Sequence, residues 1–236
     1  MTTIGILVCD HFPAETEAIA GGPLGDLHER LFGQAEPALE FRQYDVRGGE
    51  RPTSIDECDA WIVTGSRSDA YGDDPWILAF LEWLRDAVAS GTRIAGICFG
   101  HQAIARALGG RVEPAGEWKV GPQTLTFDAT EWFGGTTLAI NAMHRDVVTA
   151  LPDGAEMIGT GETAAIPAFR IGDHVLCIQD HPEYDDGIEA FIIRSRIEMI
   201  GEETAAAALA RMAERPADGA TVARMLVDFL LDRRRA

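Results

Sequence analysis

The sequence lacks the features that would place a protein in a membrane, on nucleic acid or around a metal. No apolar run approaches the ~18 residues that a membrane-spanning helix needs. The stretch Met1–Val8 carries no basic segment and no small-residue cleavage site, and it runs straight into strand-like sequence, so no export signal is expected. Positive charge is scarce. Twenty Lys and Arg face 38 Asp and Glu, a net charge of −18 that repels phosphate backbones and argues against nucleic acid as a partner. The one basic run, Arg233-Arg234-Arg235, ends the chain, where cations suit a helix C-terminus. The four cysteines, Cys9, Cys58, Cys98 and Cys177, form no C-x-x-C pair and read as free thiols of a cytoplasmic protein. No set of His, Cys and Asp has zinc spacing, and Asp69, Asp73 and Asp74 lack the glycine of a calcium loop and read as a capped, solvated turn. Neither G-x-x-x-x-G-K-[ST] nor G-x-G-x-x-G occurs, so no nucleotide, metal or other cofactor is expected.

What is present is an alternation of short β-rich runs with helical patterns, which predicts parallel strands joined by crossover helices. Ile4–Cys9 reads as a buried first strand, residues 10–22 as a loop, and Leu24, Leu27 and Leu31 as one face of a helix. Strands are expected at 39–46, 59–64 and 93–97. The strongest periodicity joins Ile77, Phe80, Leu81, Leu84, Ala87 and Val88 on one stripe, started by Asp74 as cap and Pro75 at the first helical position, and ended by Gly91. A short helix is expected over 100–108. Beyond it, residues 117–128, 136–143, 155–160, 165–171 and 174–179 read as strands joined by polar turns, antiparallel additions to the parallel sheet or a small side sheet. Helix returns over 187–200 and in the Ala-rich tail. The expectation is an α/β fold with a doubly wound, mainly parallel sheet, in one domain of residues 1–236, with 201–236 as a helical extension.

The chemistry concentrates at Gly96-Ile97-Cys98-Phe99-Gly100, a strand running through G-x-C-x-G into a helix. A nucleophile elbow needs small residues two before and two after the nucleophile, because the turn brings those positions almost into contact. It also points the N-terminus of the following helix at the sulfur, which favours a thiolate. Alone, the pentad fits an inert core cysteine equally well. His181-Pro182-Glu183 follows the strand 174–179, and on extended backbone the two outer side chains face the same way. A histidine oriented by a carboxylate is what an activated cysteine requires, although the tripeptide alone reads better as an exposed turn. Thr64-Gly65-Ser66 ends the third strand, where the N–H of Gly65 with that of Phe99 would form an oxyanion hole; its plainer reading is a strand-ending turn.

Taken together and in this order, Gly96–Gln102, His181-Pro182-Glu183 and Thr64-Gly65-Ser66 resemble the signature of a class I, triad-type glutamine amidotransferase domain. The type is the stand-alone one similar to the amidotransferase half of GMP synthase. The resemblance covers residues 1 to 200. It implies a flavodoxin-like fold and a thioester on Cys98 formed from the γ-amide of glutamine or a γ-glutamyl compound, with His181 and Glu183 completing the triad. It also implies Gly65 and Phe99 as oxyanion donors. Gln102, Met143 and His144 match positions that hold the α-amino and α-carboxyl ends of the substrate. Two residues depart from the pattern. Asp180 stands where an aromatic is usual and is expected to raise the pKa of His181 or narrow the leaving-group side, and Ser66 stands where a second glycine is common.

Of the remaining histidines, His101 reads as packing or capping, and His144 as either a substrate contact or a turn cap. His11 and His28 read as surface or helix residues, and Cys9, Cys58 and Cys177 as core. Three functions are compatible with these residues: a glutaminase docking on a separate synthase subunit, a free-standing γ-glutamyl peptidase or hydrolase, and a non-catalytic binding or regulatory protein. A cysteine amidopeptidase of the related Cys-His fold would explain the elbow but not His-Pro-Glu.

Overall fold

A computed structural model of the chain describes residues 1–162 and 164–234; Arg235, in the terminal basic run, lies outside them. The first half alternates as the sequence predicts: β1 (Thr2–Val8), α1 (Ala14–Ala20), α2 (Leu24–Ala35), β2 (Leu39–Asp45), β3 (Ala60–Val63), α3 (Pro75–Ser90), β4 (Arg93–Ile97) and α4 (Phe99–Ala107). Then come β5 (Arg111–Phe127), β6 (Thr137–Ala150), β7 (Ala155–Met157), β8 (Gly159–Gly161), β9 (Ala168–Ile171) and β10 (Val175–Ile178). Four helices close the chain: α5 (Asp186–Ser195), α6 (Ile197–Ile200), α7 (Glu202–Glu214) and α8 (Gly219–Leu230).

The main sheet runs β2-β1-β3-β4-β10-β9-β7, and β6-β5-β8 form a second sheet. From β2 to β10 all neighbours are parallel, and β9 and β7 extend this core by antiparallel pairing. Period-2 alternation sends Trp61, Val63, Ile94 and Cys177 to the face covered by α3 and α4. It sends Ala60, Ile62, Ala95 and Ile178 to the face covered by α2 and α8. Both faces are apolar, which is why these strands read as continuous hydrophobic runs. In α8, Val222, Leu226, Val227 and Phe229 are buried against the second face.

Several boundaries differ from expectation. Residues 10–22 contain α1, whose apolar face is too thin to give a periodic signal, since only Thr16 and Ala20 are buried. The strand expected over 155–160 is two: β7 belongs to the main sheet and β8 to the second, with the chain crossing between them at Ile158. The helix expected over 187–200 breaks at Arg196, which ends α5 and starts α6. Pro75 does open α3, but the Asp74 side chain makes no capping hydrogen bond. Arg234 bonds Asp173 at 2.7 Å, tying the end of the chain to the turn before β10. Among the described residues no helix is long and apolar enough to cross a membrane.

Candidate active site

Three adjacent parallel strands, β3, β4 and β10, deliver the site from their C-terminal ends, the edge where ligands bind in open α/β sheets. Cys98 follows β4 directly and has φ 51° and ψ −102°, a left-handed conformation that non-glycine residues rarely adopt and that stores strain. The sharp turn is made possible by its glycines. A Cβ on Gly96 would lie 2.9 Å from the Gly100 carbonyl, and one on Gly100 would lie 2.5 Å from the Val63 carbonyl oxygen. The positions two before and two after Cys98 thus meet, as an elbow requires. The helix α4 begins at Phe99, which places Cys98 at its N-cap position, the end where the helix dipole is positive, with no capping hydrogen bond to the side chain.

After β10, the N–H of His181 donates to the Asn141 carbonyl at 2.7 Å, and Asn141 Nδ2 donates to the Tyr184 carbonyl at 2.9 Å. Asn141, wholly buried on β6, therefore clamps residues 181–184 from the second sheet. Within that segment His181 Nδ1 lies 2.7 Å from Glu183 Oε1, which leaves Nε2 for the cysteine side. The Tyr184 ring stacks on the imidazole, with centroids 4.3 Å apart and planes within 6°. On the opposite side Gly65 closes the gap: a Cβ there would stand 2.7 Å from His181 Cε1 and 3.7 Å from Cys98 Cβ. Burial alone would push the His181 imidazole down in pKa, but the sulfur of Cys98 and the carboxylate of Glu183 outweigh it and hold it well above the ordinary histidine range. Glu183 is the counterpart. Burial would raise its carboxyl, and the charge of His181 with the hydrogen bond between them keeps it below the usual carboxylate range.

A cavity of about 340 Å³ opens over this arrangement, within the range of small-molecule sites. Cys98, His181, Gly65, Gln102, Met143 and His144 all line it. Glu183 stands behind the imidazole, and the Phe99 ring points away to stack on Trp76 at 5.5 Å. Gln102 reaches the wall, but its amide NH₂ is already engaged by the Asp146 carbonyl at 2.9 Å and Gln179 Oε1 at 3.2 Å. The loops after β1 and β3 frame the mouth and are locked together. Asp10 accepts from the Arg67 backbone N–H and from its Nε, both at 2.8 Å.

The family model described as glutamine amidotransferase class-I matches residues 53–197, more than half of the chain and all of β3, β4 and β10. The chain belongs to the class I glutamine amidotransferase family. Gamma-glutamyl peptidase 3 of Arabidopsis thaliana is 33% identical over 165 residues, 65% of this chain and 66% of that protein. A glutamine amidotransferase-like protein of Schizosaccharomyces pombe is 33% identical over 181 residues, 73% of this chain and 72% of its own. Among solved structures, a glutamine amidotransferase from Methylobacillus flagellatus superposes with a TM-score of 0.74 at 22% identity, covering 100% of this chain and 96% of that one. That likeness establishes the shared fold.

Within this family frame, one expectation needs correction. Asp180 pairs with His144 and not with His181: its Oδ1 lies 3.2 Å from His144 Nε2, and both side chains are buried. Of the two readings of His28, the helix one holds and the surface one does not. It lies on α2, fully buried, with Nδ1 donating to the Leu24 carbonyl at 2.9 Å and Nε2 facing Glu183 Oε1 at 3.7 Å. Neither His28 Nε2 nor Glu183 Oε2 has a hydrogen-bond partner among the described residues. His101 is buried and packs on Phe169 at 4.9 Å. Cys9, Cys58 and Cys177 are buried free thiols, each pushed up in pKa by burial. Sequence reading also passed over Asn141 as a clamp, Tyr184 as the cover of the imidazole, and the acidic wall of Asp69 and Asp146. There burial and the neighbouring Asp69 raise the Asp146 carboxyl.

Proposed function

We propose that the chain hydrolyses γ-glutamyl amides through a thioester on Cys98. The observation that carries this reading is the strained backbone of Cys98, at φ 51°, beneath an imidazole whose far nitrogen is held 2.7 Å from a buried carboxylate. His181 takes the thiol proton, the sulfur attacks the γ-carbonyl, and the tetrahedral oxyanion is met by the main-chain N–H groups of Gly65 and Phe99. As the C–N bond breaks, His181 returns the proton to the leaving amine. Water then adds to the thioester with His181 as base, and glutamate leaves with the thiol restored. Glu183 fixes the tautomer and stabilises the imidazolium. The Asp69 and Asp146 carboxylates on the cavity wall suit the α-ammonium group of the glutamyl moiety.

The leaving amine is ammonia for glutamine and an amino compound for other γ-glutamyl substrates. The apolar rim of Phe12, Trp118 and Met199 favours the second class, because ammonia has nothing to place against it. A second reading, a glutaminase that docks on a separate synthase subunit, draws on Ile197 and Met199, which are 39% and 62% exposed on α6 beside the mouth. Purified chain offered glutamine and a γ-glutamyl dipeptide tests both. Turnover of the dipeptide without a partner, abolished in Cys98→Ala, supports the hydrolase. Silence on both substrates, with Cys98 still alkylated faster than the other three thiols, favours the docked subunit. Unchanged turnover in Cys98→Ala refutes the thioester.

A further inference from the structure

Three arginines line the cavity of a chain whose net charge is −18. Two have local partners. Arg67 is bonded to Asp10 at 2.8 Å, and the Arg145 guanidinium lies 5.9 Å from the Trp118 ring centroid and 3.8 Å from Asp146. Arg196 is half-buried and forms no ion pair or side-chain hydrogen bond among the described residues. A guanidinium drawn partly out of water with no carboxylate in ion-pair contact has lost hydration that a ligand can replace, and its planar fork matches a carboxylate.

The position of Arg196 selects which carboxylate. It sits where α5 passes into α6, on the cavity lining that it shares with Tyr184, the residue whose ring covers His181. The imidazole hands its proton to the leaving amine, so the departing group lies on this side of the cleft, beside Phe12 and Met199. Asp146 is tied instead to Gln102, whose amide donates to its carbonyl at 2.9 Å, and with Asp69 it forms the wall assigned above to the glutamyl moiety. We propose that Arg196 binds the carboxylate of the departing amino acid, which makes γ-glutamyl dipeptides with a free C-terminal carboxylate the preferred substrates over glutamine. This rests on the thioester reading above. Glutamine has no such carboxylate and leaves Arg196 unpaired; a dipeptide neutralises it and fills the apolar rim.

The experiment compares γ-glutamyl-phenylalanine with its C-terminal amide, two ligands that differ only in the group Arg196 would hold. Binding is measured by calorimetry in full-length Cys98→Ala and in Cys98→Ala/Arg196→Gln, and kcat/KM for both compounds in wild type, Arg196→Gln and Arg196→Lys. The expected result is a preference for the acid over the amide of about tenfold or more, as a charge-assisted hydrogen bond supplies. That preference collapses toward unity in Arg196→Gln and is partly kept in Arg196→Lys. An equal loss of acid and amide in Arg196→Gln, with a lowered melting temperature, would make Arg196 only the cation at the end of α5 and would overturn the proposal. An unchanged preference, or no dipeptide binding at all, overturns it as well. Should Cys98→Ala still turn over substrate, the thioester reading fails while the binding comparison still judges Arg196.

Discussion

Glu189 offers a perturbation whose size can be worked out from its surroundings. It lies on α5 with its side chain fully buried; Oε1 accepts the Gly121 N–H at 2.9 Å, and Oε2 has no partner among the described residues. Burial pushes its carboxyl from 4.5 up to about 7, with the hydrogen bond from Gly121 and the charges of His181 and Arg196 pulling the other way. For a folded pKa raised above the unfolded one, the associated stability is fully present below the unfolded pKa and is lost as pH rises through the folded pKa. The loss therefore begins near 4.5 and is complete once the pH is well above about 7. In full it amounts to about 3 kcal/mol, of which roughly 1 kcal/mol has gone by about pH 5. Glu189→Gln keeps an oxygen for Gly121 and cannot ionise. Urea unfolding of wild type and variant at about pH 5 and about pH 8.5 should show the variant gaining roughly 2 kcal/mol on the wild type across that interval. The change with pH is the test, since any fixed cost of burying the extra amide hydrogens cancels in it. A stability difference that stays constant over the interval refutes the reasoning.

Substitutions at two positions probe the triad from either side. Gly65→Ala places a methyl 2.7 Å from His181 Cε1, which forces the imidazole off its line to Cys98. A fall in kcat of about 10²-fold is expected with a much smaller change in melting temperature, and kcat close to wild type would show that the imidazole has room to yield. His28 backs Glu183 at 3.7 Å, so His28→Phe should lower kcat about tenfold, the worth of one lost polar contact. His28→Gln, whose amide can still reach the carboxylate, should retain more of the activity. Equal kcat in both variants and wild type would remove His28 from the machinery.

Why some of this was legible in the sequence and some not follows from the range of the interactions. The strands β1, β3, β4 and β10 were readable because strands buried on both faces need unbroken apolar sequence. The elbow was readable because its steric demand, Gly96 against Gly100, is met within five residues. The histidine–carboxylate pair was readable because His181 and Glu183 are two apart, close enough for a 2.7 Å bond within one segment. In contrast, α1 buries too little to leave a pattern, and β7 and β8 separate only because different strands lie beside them, β9 in one case and β5 in the other. The pairing of Asp180 with His144 is illegible for the same reason. The neighbour of Asp180 in sequence is His181, and its partner in space, His144, comes from β6.

The sequence by itself determined the local chemistry: a cysteine on a strained turn, a histidine with its carboxylate, glycines where the backbone must come close. These depend on stereochemistry within a few residues, and a linear pattern records them. Only the tertiary structure decided which groups from distant segments share the buried space. It set His28 of α2 behind Glu183, Asn141 of β6 against His181, Asp10 against Arg67, and Arg196 on the cavity lining with no ion pair among the described residues. The packing of α2 and the second sheet onto β3, β4 and β10 creates those contacts, and no residue in them is close enough along the chain to leave a trace of the other.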